Sequence, residues 1–424
     1  MRRMRRVAAI VILAGWAGLR PGFGQADKAE RIDAYIRPFA LAGHFSGVVL
    51  AAEEGRVVYE KAFGPADAEW DIANRTDTRF GVASITKYMT VVVLTRLIEA
   101  GRIALSDRLA KFIPDFPNGE KITIDMLLRH RSGIPHRVMP PEAESLPYTP
   151  AEFVDKVKAA KLEFEPGTQR LYSSAGYSVL ARVLEIVSGR PYASLLREYV
   201  FGPAGMSDSL DFQSRAIMKR RAQDYLLTPQ GPVNAALKDY SFLVGAGSVF
   251  GTARDLYRFG LGVLDGTFGP QALALIADER GLSGSGSTNG HRAYLEIERN
   301  RKYGYALVSN LNCGSIDVIL KGIGAILKGQ EPPPASVPHP QILADPDPSP
   351  YVGTYRRDDG TRTEIAANAA GLWAGDIRLY AVGPDRFFEY KYYGEVLFRR
   401  AASGAVIGMS WNAPGFEMVW TRNK

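Results

Sequence analysis

Between Tyr88 and Ile98 the chain reads Y-M-T-V-V-V-L-T-R-L-I, apolar on almost every side of a helix. A helix of that kind has no solvent face, so the rest of the fold must enclose it. Gly101 supplies its stop. Just ahead, F-G-V-A-S-I-T-K sets Ser84 and Lys87 three residues apart, which places both side chains on one face of the first turn. A serine hydroxyl is a weak nucleophile until a base takes its proton. A lysine can do so only when neutral, and desolvation and the positive end of the helix dipole both push Lys87 that way. The Ser84 N–H, unpaired in the first turn, is placed to meet a developing oxyanion. Taken alone, the tetrad fits equally well a capped core helix whose lysine snorkels to water.

With 424 residues, the chain has room for one large domain and one small one. Residues 1–6 hold four arginines, Val7 to Leu19 is uncharged and apolar, and small residues follow from Gly22 to Ala26. This is the pattern of an export signal over residues 1–24, too short to span a bilayer, and it implies a periplasmic or secreted protein. Without that leader, Lys plus Arg falls from 52 to 47 against 45 acidic residues, leaving +2. The basic balance is therefore no nucleic-acid footprint. The single cysteine, Cys313, excludes an internal disulfide and reads as a packed residue.

Phe45 to Ala52 and Arg56 to Phe63 read as a hairpin turned at E-E-G. Gly176 to Ser188 is a second amphipathic helix, and Arg292 to Ile297 and Tyr303 to Leu311 are strands returning to the hairpin. Strands at both ends with helices between imply an α/β core over residues 27–329. Prolines crowd residues 330–350, an extended linker, and the aromatic-rich, turn-punctuated stretch 351–424 suits a small all-β barrel or sandwich.

Further on stands P-G-T-Q-R-L-Y-S-S-A-G-Y, centred on Tyr172, Ser173 and Ser174. A phenol beside a cationic lysine loses its proton more easily and can relay between a serine and a leaving group. With this motif the chain resembles the class C β-lactamase-like serine hydrolases, which include DD-peptidases, D-aminopeptidases and family VIII esterases. F-G-V-A-S-I-T-K, E-A-G-R-I-A-L-S-D, L-L-R-H-R-S-G-I-P, P-G-T-Q-R-L-Y-S-S-A-G-Y and G-A-G-S-V-F-G-T-A-R-D-L follow in that family's order, covering Ile36 to Leu311. Y-V-G-T-Y-R resembles the opening of the lipocalin-like β domain that some members carry.

The resemblance implies an antiparallel sheet flanked by helices plus a helical subdomain, with Ser84 as acylated nucleophile, Lys87 as its activator and Tyr172 as general base. Two motifs depart from the family pattern. Ser174 stands where members often have Asn, with shorter reach and fewer donors. The third motif, usually Lys or His then Thr or Ser then Gly, aligns by position with Leu282-Ser283-Gly284, making the Ser285 N–H the second oxyanion donor. Arg131-Ser132-Gly133 matches the letters better but falls between the first two motifs. Leu282 removes the cation that would hold a substrate carboxylate, unless His291 or Arg292 replaces it. The expectation is an exported esterase-like enzyme acting on small esters, amides or peptides. A DD-peptidase, D-aminopeptidase or β-lactamase, or a non-catalytic peptidoglycan binder, are the alternatives. No H-E-x-x-H, G-x-S-x-G, P-loop or dinucleotide motif occurs among the 424 residues, so no metal or cofactor is expected. His130 and His136 flank a loop that borders the pocket and are read as structural. No oligomeric state follows from the sequence.

Overall fold

A computed structural model describes residues 25–423; the expected leader over residues 1–24 lies outside them. Helix α1 (Gln25–Leu41) leads into the hairpin β1 (Gly47–Glu53) and β2 (Arg56–Phe63). Glu54 and Gly55 both take positive φ, 50° and 73°, as a two-residue hairpin loop requires. Next come the helices α2 (Thr86–Glu99), α3 (Ser174–Ser188) and α4 (Ala253–Leu264), joined by short helices, short strands and loops. Strands β3 (Gly281–Ser287), β4 (Arg292–Glu298) and β5 (Tyr303–Ser309) complete an antiparallel sheet of order β3-β4-β5-β1-β2. Helix α5 (Ser315–Leu327) closes this part of the chain.

The first strand thus sits inside the sheet, paired with β5 from Gly47↔Ser309 to Glu53↔Tyr303. Both its faces are buried, which is why it reads as a continuous apolar run. Val48, Leu50 and Ala52 join the core built on α2, α3 and α4. Val49 and Ala51 turn to the opposite core, made with Ile32, Ile36 and Phe39 of α1 and Ile316, Ile319 and Ile323 of α5. Each fully enclosed Val, Ile or Leu contributes about 1.5–3 kcal/mol. The two cores therefore hold the sheet rigid between helix layers.

Regular structure stops at Leu327 and resumes at Gly353. Between them the proline-rich segment lies along the C-terminal unit, with Asp345 paired to Arg378 at 2.6 Å and the Leu343 N–H donating to Ala381 O. Residues 353–422 form a closed barrel of eight antiparallel strands. Tyr355, Ile365, Leu379, Val396 and Met409 fill it, so it is packed rather than hollow. Its Glu389–Gly394 turn meets the sheet unit: Phe388, Tyr390 and Tyr393 join the α1–α5 core, and Tyr390 O and Lys391 O accept from Gly314 N and Arg292. Cys313 is free and buried there, as the sequence implies.

Candidate active site

Phe80–Gly81 pairs with Val249–Gly251, and Val82 N donates to Val249 O. This anchors the chain before it tightens into a 3-10 turn over Ala83–Ile85 and enters α2. Ala83 takes a φ of +48°, a left-handed conformation that a non-glycine residue adopts only under constraint. Ser84 therefore stands at the tip of the turn, and Lys87 follows in the first turn of the helix.

Lys87 does not snorkel. It is 5% exposed, and its Nζ lies 3.2 Å from Ser84 Oγ, 3.2 Å from Ser174 Oγ and 2.7 Å from Ala246 O. Ala246 reaches it because Gly245 takes a φ of +76°, where a Cβ would also stand 2.4 Å from Ala181 Cβ. Burial alone pulls the Lys87 amine down to about 7. A neutral amine has two N–H groups and one lone pair. With Ala246 O and Ser174 Oγ taking the two hydrogens, the lone pair is left for Ser84.

Tyr172 Oη lies 2.7 Å from Ser84 Oγ on the other side. Its ring packs 4.9 Å from Lys87 Nζ. The structure thus brings Ser84, Lys87, Tyr172 and Ser174 into one hydrogen-bonded cluster. One expectation is corrected: desolvation raises the Tyr172 phenol above its ordinary value, only partly offset by its bonds to Ser84 and Ser174. The phenol's own burial outweighs those bonds, so its proton is held rather than loosened.

His130 and His136 do more than border the pocket. Their rings pack on Tyr172 with centroids at 4.6 and 5.4 Å. His130 Nδ1 accepts from Ser173 N at 3.1 Å and His136 Nδ1 from Ser174 N at 3.2 Å, fixing the start of α3. Burial, and then the Lys87 charge, holds His130 down at about 4, so it stays neutral with its proton on Nε2. Arg131 bonds the Gly167 carbonyl, and Ser132 is buried in the same loop. That triplet stays outside the cluster.

Strand β3 is the open edge of the sheet. Thr288 N donates to His291 O and Arg299 N to Arg280 O, which fixes the alternation of the ladder between them. Leu282, Gly284 and Gly286 bond to β4, while Ser283, Ser285 and Ser287 turn their backbone groups to the free edge. The edge crosses the start of α2 closely. A Cβ on Gly284 would stand 2.5 Å from the Tyr88 ring, and one on Gly286 would stand 2.3 Å from Val82 O and 2.8 Å from Ser84 N. Tyr88 Oη donates to the Ser283 carbonyl at 3.0 Å. The N–H groups of Ser285 and Ser287 flank the glycine that touches Ser84. Ser287 went unnoticed in the sequence because S-G-S-G-S repeats every two residues, so the letters do not say which serine of the edge lies beside Ser84.

Gly286→Ala has no room without moving the backbone at Ser84. It is expected to lower acylation at least about 10²-fold, as loss of one oxyanion donor does, with thermal unfolding showing the fold retained. Stopped-flow acylation of the variant checks this.

Neither proposed substitute for the missing cation reaches the cleft. Arg292 bonds Asn312 at 2.8 Å and Lys391 O at 2.7 Å, toward the barrel. His291 is enclosed among Phe80, Tyr240 and Phe250, with Nε2 at 3.0 Å from Asp224 Oδ1, and burial lowers its pKa. Leu282 is 1% exposed and packs toward Gly260 of α4. Among the described residues no His, Cys, Asp and Glu group suited to a metal ion occurs.

A sequence model of the Beta-lactamase family matches residues 32–313. The putative penicillin-binding protein PbpX of Bacillus subtilis is 30% identical over 269 residues, 63% of this chain and 66% of that protein. Among solved structures, the D-amino acid amidase of Ochrobactrum anthropi SV3, complexed with L-phenylalanine amide, superposes with a TM-score of 0.63 at 21% identity, over 72% of this chain and 99% of that one. EstCE1, described as a hydrolase with promiscuous acyltransferase activity, gives a TM-score of 0.56 at 21% identity, over 67% and 93%. Those two likenesses speak for the fold, while the family match runs through the sheet, α2 and every member of the Ser84 cluster. The chain belongs to the Beta-lactamase family and is a serine hydrolase of that type.

Proposed function

We propose that the enzyme cleaves neutral esters or amides through an acyl-enzyme on Ser84. Lys87 in its neutral form takes the Ser84 proton as Oγ attacks the carbonyl carbon. The oxyanion is held by the Ser84 N–H and an edge N–H of β3. Tyr172 remains a phenol at rest and passes a proton to the departing group as the C–O or C–N bond breaks. Water, activated by the same pair, then releases the acyl group.

The observation that carries the substrate preference is the absence of a cation on β3: Leu282 is turned into the core and Tyr88 covers Gly284. A charge-assisted bond to a substrate carboxylate is worth about 1.5–3 kcal/mol, or about 10- to 150-fold. The kcat/KM for p-nitrophenyl butyrate is expected to exceed that for nitrocefin by at least about tenfold. Fast nitrocefin hydrolysis without esterase activity would reverse the ranking. Failure of the wild type to label with a fluorophosphonate would favour a non-catalytic binder.

One observation keeps a D-alanyl peptidase or amidase reading in play. Arg137 is exposed beside His136 and, among the described residues, makes no hydrogen bond or ion pair, although its charge acts on Asp376 of the barrel, so a terminal carboxylate has a cation from the loop instead of the strand. Under that reading Arg137→Ala impairs D-Ala-D-Ala peptides and spares uncharged esters.

A further inference from the structure

A cavity of about 530 Å³ opens beside the segment Tyr192–Phe201, and none of Ser84, Lys87 and Tyr172 lines it. Its walls are mostly apolar, with Phe201, Met206, Leu210 and Met218 beside the hydroxyl residues Ser207 and Ser209, and Ile217 stands 93% exposed among the lining residues. Methionines adapt to varied ligand shapes, and one wall is formed by a π-turn over Arg197–Phe201, a distortion that recurs at binding sites. Asp211, only 9% exposed, also lines it. Its Oδ1 accepts from Ser248 Oγ at 2.5 Å, and its other oxygen has no protein partner among the described residues.

A carboxyl set among apolar walls with one oxygen unpaired is costly to ionise. Burial accordingly raises Asp211 to about 7, with the field of Glu185 adding to the effect. What Asp211 lacks is a cationic donor. An ammonium group supplies the charge and the hydrogen bond together, an alcohol supplies only a neutral bond, and a second carboxylate is repelled. Arg197, the other charged lining residue, is exposed at the rim, where an anion would stay in water rather than enter.

We propose that this cavity binds a small apolar amine, its ammonium paired with Asp211 and its hydrocarbon held by Phe201, Met206 and Met218. The site is separate from the Ser84 cluster and does not depend on how that cluster reads its substrate.

Calorimetric titration of the full chain with hexylamine, hexanol and hexanoate tests the proposal. Hexylamine is expected to bind one per chain, at least tenfold tighter than hexanol and far tighter than hexanoate. Asp211→Asn should weaken hexylamine at least tenfold and leave hexanol unchanged. Ala216→Trp, at an exposed lining position, should block both, and it decides the matter if Asp211→Asn does not fold. Hexanoate binding as tightly as hexylamine, hexylamine binding unaffected by Asp211→Asn or by Ala216→Trp, or no hexylamine binding at millimolar concentration would each overturn it.

Discussion

Lys87→Met is expected to reduce acylation by about 10³–10⁴-fold or more, matching Ser84→Ala in practice, while making the protein harder to unfold. The two effects have one origin. The amine is enclosed with no carboxylate partner among the described residues, and loss of water is what brings it down to about 7. In the unfolded chain the same group keeps the ordinary lysine value of about 10.4, so between pH 7 and that value the unfolded state holds more protons. This residue's contribution to stability therefore rises with pH across that window, and its cost is largest below pH 7. Methionine fills a similar volume without a charge to desolvate. It forfeits the bonds to Ala246 O and Ser174, so the net gain is expected at about 1–2 kcal/mol. Thermal unfolding at pH 6 checks the stability and a fluorophosphonate time course checks the rate. Wild-type labelling speed in Lys87→Met would break the mechanism.

Tyr172→Phe is the second large effect, and its signature depends on the leaving group. The ring stays wedged between His130 and His136, so the pocket keeps its shape and KM should hold. What disappears is the hydroxyl 2.7 Å from Ser84 Oγ. General acid–base groups of this kind contribute about 10²–10⁴-fold. Nitrophenolate departs without being protonated, whereas an alkoxide or amine does not. The loss is therefore expected to be small for p-nitrophenyl butyrate and about 10²-fold or greater for an alkyl ester or an anilide of the same acyl group. Equal losses on all three would mean that Tyr172 positions Ser84 and handles no proton.

What could be read from the residues, and what could not, divides along physical lines. The hairpin at E-E-G, the enclosed helix and the end of α3 at Ser188 are local patterns found where their spacing put them, while α3 begins at Ser174, two residues before the expected Gly176. The Ser84–Lys87 pair follows from helical geometry alone. The joining of Tyr172 to that pair rested on the order of motifs, since 88 residues of chain separate Tyr172 from Ser84. Three features were hidden for definite reasons. Ala246 acts through its backbone carbonyl, which no residue letter reports. His130 and His136 support Tyr172 through ring packing and backbone bonds set by loop closure, not by spacing. The sign of the Tyr172 shift is set by the phenol's own burial, which the residue letters do not report. Arg292 and His291 illustrate the same limit: adjacent in sequence to the edge strand, they point into the barrel interface and the aromatic core.

The most direct test is the single-turnover rate of Ser84 acylation by p-nitrophenyl butyrate as a function of pH. If neutral Lys87 is the base, the rate climbs with an apparent pKa near 7 and levels off above it. A rate still climbing past pH 9 would assign the proton to the Tyr172 phenol instead, and one that does not change with pH would leave Ser84 without a titrating base at all.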